Sequence, residues 1–236
     1  MTPPVLRDDG RLLRGSEKRD AVEAMFDRIA PRYDRMNRII SLGQDARWRR
    51  RAVRALELPT GSRVLDLGCG TGDLCRELTR VGHRPFGLDR SSGMLAAAQT
   101  DAPLVRGDAE TLSFADGALD GVVSGFTLRN FVDLDAVFDA CARALRRGGR
   151  FVALDAAVPE HGVLRAGNAV WFRGVVPLLG RLLSQDGPAY RYLPASTAYL
   201  PDPERLVASI EAAGFRAAQR VTMTGGSVQL LTATRS

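Results

Sequence analysis

Apolar residues in the first quarter of the chain recur at helical spacing: Val22, Met25, Phe26 and Ile29 fall at i, i+3, i+4 and i+7. Pro31 interrupts that stripe, and a second short helix is expected from Tyr33-Asp34-Arg35-Met36-Asn37. Ser41-Leu42-Gly43 breaks it, and a third is expected over 48–56. From residue 63 the period changes. Short apolar runs at 63–67, 85–88, 104–106, 119–126 and 150–154 read as buried strands. Helical segments at 73–81, 92–99 and 134–145 separate them, with Gly148-Gly149 expected to stop the last one. Strand and helix in alternation predict a parallel sheet covered on both faces. An amphipathic helix over 203–213, stopped by Gly214, precedes two strands at 217–223 and 227–234 joined by Gly225-Gly226. That terminal hairpin should place an antiparallel strand on the sheet. The fold class is therefore α/β: Rossmann-like, a mostly parallel seven-stranded sheet with an antiparallel C-terminal strand and a helical N-terminal lid. Residues 1–17, polar and aperiodic, are expected to be a flexible arm. Residues 18–236 form one domain, with the lid at 18–58 and a helical insertion on the substrate side at 162–200.

Two stretches of the insertion stay open to more than one reading. Between 162 and 183 the chain is apolar with Arg165, Arg173 and Arg181 interspersed, and Pro177 and Gly180 would bend it. It is either a core helix pair over the sheet edge or an interfacial segment whose apolar side enters lipid while its arginines meet headgroups. Tyr190-Arg191-Tyr192-Leu193-Pro194 is expected to be a loop opposite it.

Composition narrows the setting. The 236 residues suit one domain with a substantial core. No apolar run is long enough to span a bilayer, and the first residues lack the apolar core of a signal peptide, so a cytoplasmic protein is expected. Cys69, Cys75 and Cys141 lack metal-ligand spacing and read as reduced small hydrophobes. The net charge of +6 rests almost wholly on arginine, Lys18 being the sole lysine. Its densest cluster, Arg47-Trp48-Arg49-Arg50-Arg51, lies in a helical pattern before the first strand, without the repeated interleaving of exposed aromatics or glycines that nucleic acid would favour. This favours a solvated or lipid-facing surface over nucleic acid.

The chemistry concentrates at Val64-Leu65-Asp66-Leu67-Gly68-Cys69-Gly70-Thr71-Gly72, a strand running into a turn without side chains and then a helix. Such a turn lets a ligand lie against backbone N–H groups. Its spacing is D-x-G-x-G-x-G rather than the dinucleotide G-x-G-x-x-G. A ligand-free turn and a nicotinamide or flavin site remain the bland and the rival readings. Three other strand ends carry notable groups: Asp89, suited to a ribose diol; Asp108-Ala109, suited to an adenine edge; and Gly125-Phe126-Thr127-Leu128-Arg129-Asn130. Either aspartate alone would pass as a helix cap; both together behind this loop point to a nucleoside.

The loop resembles the cofactor loop of class I S-adenosylmethionine-dependent methyltransferases. A wider set of stretches is similar to the ubiquinone/menaquinone biosynthesis C-methyltransferase family. These are Met25 through Asn37, Ser41-Leu42-Gly43, Trp48-Arg49-Arg50, Leu128-Arg129-Asn130, Tyr190-Arg191-Tyr192-Leu193-Pro194-Ala195-Ser196 and Ala213-Gly214-Phe215. The resemblance implies S-adenosylmethionine, with Thr71, Asp89 and Asp108-Ala109 as contacts, and a prenylated quinol such as demethylmenaquinol as methyl acceptor. Read with the strand-end geometry, the expected cofactor residues also include Asp66, Gly68, Gly70, Gly72, Met94 and Gly125; Tyr190, Tyr192 and Trp171 are expected at the acceptor site, and the chemistry calls for no metal. Departures fall around the acceptor: Leu154-Asp155-Ala156-Ala157 ends strand five, the last strand has Gln229-Leu230-Leu231 where a His after an apolar pair is usual, and Thr127 stands where Gly is usual. C- or O-methylation of another small aromatic or polyketide-like acceptor is the alternative.

Transfer to a ring carbon needs alignment, dryness, and stabilisation of a phenolate-like acceptor. Arg129 is the expected oxyanion partner, with Asn130 orienting substrate or a water. Asp155 is the second choice as proton acceptor and His161 the third; Tyr33 would wall the slot or bond a ring oxygen. A prenylated acceptor would bring the protein to the inner face of the membrane as a peripheral contact; a homodimer is compatible with the sequence and not required by it.

Overall fold

The computed structural model describes residues 12–171, 174, 176, 178, 189, 192 and 195–236. Seven strands form one sheet in the order β3-β2-β1-β4-β5-β7-β6. They are β1 (Arg63–Leu67), β2 (Arg84–Asp89), β3 (Leu104–Arg106), β4 (Leu119–Gly125), β5 (Leu145–Ala156), β6 (Phe215–Met223) and β7 (Val228–Arg235). Pairings β1–β2, β2–β3, β1–β4 and β4–β5 are parallel, and β7 runs antiparallel between β5 and β6. Strand order reverses between β1 and β4. In an open sheet that reversal leaves a crevice beyond the strand C-termini.

The period of two along the strands sorts side chains into two cores. Leu65, Leu67, Val122, Phe151 and Leu231 pack on one face, under α6 (Leu134–Ala144) and α8 (Pro203–Ala212). Phe151 there meets Phe138 at 5.7 Å and Phe215 at 5.4 Å between ring centroids. Val64, Val123, Val152 and Leu230 pack on the other, with α3 (Asp45–Ala55) and α4 (Asp73–Arg80).

A third cluster stands over the crevice. The helical stripe foreseen at Val22, Met25 and Ile29 belongs to α1 (Gly15–Ile29), which packs with Met36 of α2 (Tyr33–Ile40), Met94, Val176, Ala189 and Tyr192. The lid is thus a small core of its own, and α5 (Ser92–Ala96), which carries Met94, is the floor it rests on. Ser91 caps α5 through its side chain, and the helix is as short as the Asp89–Asp108 spacing demands.

Three expectations need correction. Helix α6 ends at Ala144, before the glycine pair, and Leu145 already belongs to β5. Leu145 pairs with Leu119 and is buried; Gly148, at φ +72°, then bends the strand, and the register shifts opposite Leu119 and Gly121. Burial of Leu145 against the sheet therefore outweighs continuation of the helix. The loop reading of 190–194 fails at Tyr192, which is helical and buried; Tyr190 lies outside the described residues. The core reading of 162–183 fails over α7 (Gly162–Val170), which has no buried residue and leaves Val163 87% and Val170 67% exposed.

Candidate active site

Glycine geometry opens the crevice. Gly68, at φ +72°, is pressed against Thr127, whose Cγ2 would lie 2.5 Å from a Cβ added there. Gly70, at φ +54°, faces open space, and nothing stands within 4 Å of an added Cβ. Four of the loop's N–H groups are engaged within the protein rather than offered to that space. Gly68 and Cys69 donate to the Leu88 carbonyl at 2.8 and 3.0 Å, Gly70 donates to Asp89 Oδ2 at 2.8 Å, and Gly72 donates to the Cys69 carbonyl at 2.9 Å. The turn uses its donors to fix itself to the tip of β2.

Asp89 is shaped by this. Its second oxygen accepts from Ser91 N–H at 2.8 Å, so the carboxylate is held rigidly at the cavity wall. Burial raises its pKa above the usual range, and the Ser91 and Gly70 N–H groups oppose that rise. Asp108, at the tip of β3, accepts from Arg90 at 2.8 Å and from the Glu110 N–H at 3.0 Å. Beneath the loop lies Asp66. Its Oδ2 accepts from Cys75 N–H and Sγ at 3.2 and 3.3 Å, while Oδ1 is a buried acceptor without a hydrogen-bond partner. Burial pushes its pKa up to about 7.

Gly68, Gly70, Asp89, Met94, Asp108 and Ala109 line one cavity of about 770 Å³, partly open to solvent and roofed by Arg19, Val22, Glu23 and Phe26 of α1. Two rim carboxylates, an apolar floor and a bare glycine fit S-adenosylmethionine. Asp66, Thr71, Gly72 and Gly125 do not border it. Thr71 is buried and donates to Asp34 Oδ1 of α2 at 2.5 Å, and Gly125 has Leu74 Cδ1 2.8 Å from where a Cβ would stand.

A second, larger cavity of about 1410 Å³ lies on the other side of Tyr33. Trp48, Arg129, Leu164, Trp171 and Val228 are among its walls, as are the exposed Leu42 and Val163. Phe26, Tyr33 and Phe126 line both cavities, so three aromatic rings form the boundary between them. Burial raises the Tyr33 phenol above its ordinary pKa, leaving it protonated at neutral pH. Trp171 donates to the Ile40 carbonyl at 3.2 Å, tying the far wall to the lid.

Arg129 borders the second cavity and is otherwise buried. Its guanidinium is paired with Asp155 and donates to Ser196 Oγ at 3.1 Å, while its N–H donates to Asp155 at 3.2 Å. Asp155 is fully buried and also accepts from the Ala156 N–H at 2.7 Å. It borders neither cavity, a placement suited to anchoring Arg129. Asn130 borders the first cavity and accepts from Tyr192 OH at 3.1 Å. Tyr192 is thus a buried brace for Asn130, and burial raises its pKa. His161 is exposed at the start of α7, away from both cavities. Sequence reading passed over the boundary rings Phe26 and Phe126 and the lid contacts of Arg90. Phe126 stands inside a stretch that was singled out, yet only packing shows that its ring separates two chambers.

A model of the ubiE/COQ5 methyltransferase family matches residues 14–235. The demethylmenaquinone methyltransferase of Roseiflexus sp. (strain RS-1) is 42% identical over 206 residues, 84% of this chain and 87% of that protein. That of Thermus thermophilus is 42% identical over 200 residues, 81% and 91% of the two. That of Mycolicibacterium vanbaalenii is 41% identical over 216 residues, 91% and 95%. Among solved structures, the methyltransferase in complex with the Haloferax volcanii Trm112 activator matches with a TM-score of 0.65 at 19% identity, covering 89% of this chain and 96% of that one. Haemonchus contortus phosphoethanolamine N-methyltransferase 2, solved with S-adenosyl-L-methionine, matches with a TM-score of 0.57 at 18% identity, covering 75% and 49%. The structural matches share the fold, and the sequence matches fix the lineage: this chain is a methyltransferase of the ubiE/COQ5 family.

Proposed function

We propose that this enzyme transfers a methyl group from S-adenosylmethionine to a ring carbon of a prenylated quinol, of the demethylmenaquinol-to-menaquinol type. The carrying observation is the pair of cavities that meet at Phe26, Tyr33 and Phe126, one lined by rim carboxylates and the other largely apolar with Arg129 in its wall. The names of the relatives support the choice of acceptor.

Asp89 would take the ribose hydroxyls and Asp108-Ala109 the adenine edge, while Met94 supplies an apolar floor. Bound there, the cofactor supplies an electrophilic methyl on a sulfonium. Neutralisation of that charge during transfer makes alignment and water exclusion the enzyme's main task. Arg129 stabilises the negative charge of a deprotonated ring hydroxyl. Being always cationic it is no base itself, so the proton leaves through a water beside it. Asp155 and Ser196 hold the guanidinium in place, and Asn130, braced by Tyr192, orients the water or the ring. Tyr33, protonated, can donate to a ring oxygen at the boundary. The prenyl tail would leave between the exposed Leu42 and α7. Such an exit would suit a peripheral protein on the inner face of the membrane, reached from the cytoplasm. Among the described residues no helix is long and apolar enough to cross a membrane.

The test is direct. Purified protein incubated with S-adenosylmethionine and chemically reduced demethylmenaquinone should yield a quinone heavier by one methyl, with the new group on ring carbon. Methylation on oxygen, or none on this acceptor with turnover of another aromatic, would sink the assignment.

A further inference from the structure

We propose that Phe126 is the partition that sets the acceptor ring against the transferred methyl, resting on the two-chamber reading above. Its backbone is the first sign. Phe126 sits at φ +63°, a left-handed conformation that is strained for a bulky residue and persists only where the surroundings impose it. Here its N–H donates to the Leu154 carbonyl at 2.6 Å and its carbonyl accepts from Asn130 Nδ2 at 3.4 Å, so both flanking peptides are pinned. The strain has a geometric consequence. It turns the side chain at the tip of β4 out of the strand's alternation and into the gap between the chambers, where the ring borders both. Two side chains then fix it: Trp48 at 6.0 Å between centroids and the Arg129 guanidinium 5.8 Å from the ring centroid. Trp48 is itself held by Thr224 Oγ1 at 2.9 Å.

The same ring therefore touches the group that would bind the oxyanion and the space where the methyl would arrive. A flat acceptor lying against it is confined in plane and distance, which an in-line displacement requires. Loss of the ring should leave nucleoside binding intact, because the contacts at Asp89, Asp108 and Met94 are made elsewhere.

The experiment uses Phe126→Leu and Phe126→Tyr, with two readouts. The chain's two tryptophans, Trp48 and Trp171, both border the acceptor chamber, so quenching of their fluorescence by 1,4-naphthoquinone reports acceptor binding without turnover. Calorimetry with S-adenosylhomocysteine reports the other chamber. Phe126→Leu should bind S-adenosylhomocysteine within twofold of wild type, bind naphthoquinone at least fivefold more weakly, and lose at least tenfold in kcat. Phe126→Tyr, which keeps a ring, should recover most of both losses. Unchanged quenching in the Leu variant overturns the proposal. So does a loss of S-adenosylhomocysteine affinity as large as the loss of quenching, which would make the ring part of the nucleoside site or of the fold. Quenching that follows this pattern in a protein without quinol methylation supports the partition while sinking the reaction proposed above.

Discussion

At the scale of single residues, the site depends on buried charge. Arg129 and Asp155 are removed from water together, and each repays the other's desolvation. Asp155→Ala leaves a buried guanidinium unpaired and should cost about 3–5 kcal/mol in urea unfolding. The double variant R129L/D155L should lose less than that, because no charge is stranded, yet be inactive. A double variant as unstable as the single would show that the pair contributes more than mutual compensation. Asp66 carries a different signature. Its pKa is about 7 in the folded chain against 3.8 unfolded, so the folded state holds a proton that the unfolded state releases between those values. Its contribution to stability is fully present below pH 3.8 and is lost as pH rises through about 7. Thermal melts from pH 4 to 8 should show wild type losing stability relative to Asp66→Asn, with the variant ahead at pH 8. Parallel curves would mean that Asp66 ionises normally.

At the scale of elements, α1 is latched to close neighbours of Asp89, Met94 and Asp108, the groups expected to read the cofactor. Glu23 bonds Arg90 at 2.6 Å and Arg106 at 2.7 Å, Arg19 bonds Glu110 at 2.5 Å, and Asp27 accepts from Ser91 Oγ and Gly93 N–H at 2.6 and 2.7 Å. Lys18 Nζ donates to the Phe131 carbonyl at 2.5 Å and stands 3.7 Å over the Tyr199 ring. Release of a molecule from beneath α1 must therefore break ion pairs of partial exposure, each worth up to about 1 kcal/mol and screened by salt. Stopped-flow dissociation of S-adenosylhomocysteine should quicken with ionic strength. Glu23→Gln should raise the rate about fivefold at low salt, as expected from losing roughly 1 kcal/mol, and flatten its salt dependence. A rate indifferent to salt in both proteins would mean that the lid is not the gate.

At the scale of the whole molecule, charge and exposed apolar surface meet beside the second cavity. Leu42, 69% exposed at the α2–α3 turn, and Val163 of α7 are both in its lining. Arg38, Arg47 and Arg165 lie on the same elements and are exposed, within a chain of net charge +6. Apolar prongs beside cations suit an anionic bilayer, at about 1 kcal/mol per basic residue close to the surface. Flotation with vesicles containing phosphatidylglycerol should recover the protein at low salt and release it at high salt, and Leu42→Asp with Val163→Asp should abolish recovery. Equal recovery of that double variant would place the contact elsewhere.

What the sequence determined by itself is the part carried by local periodicity and by backbone sterics. A period of two against 3.6 separates strands from helices, and D-x-G-x-G-x-G marks a turn at Gly68 and Gly70 that a side chain would obstruct or strain. Asp89 and Asp108 were legible because they end strands, and a parallel sheet brings strand ends to one edge. Tertiary structure alone decided the rest. It brought Asp155 onto Arg129, twenty-six residues away along the chain, and so paired the second-choice proton acceptor with the expected oxyanion partner. It folded α1 back onto Arg90, and it turned Phe126 between two chambers. Each of these depends on which distant groups share a low-dielectric interior, and one-dimensional spacing carries no record of that neighbourhood.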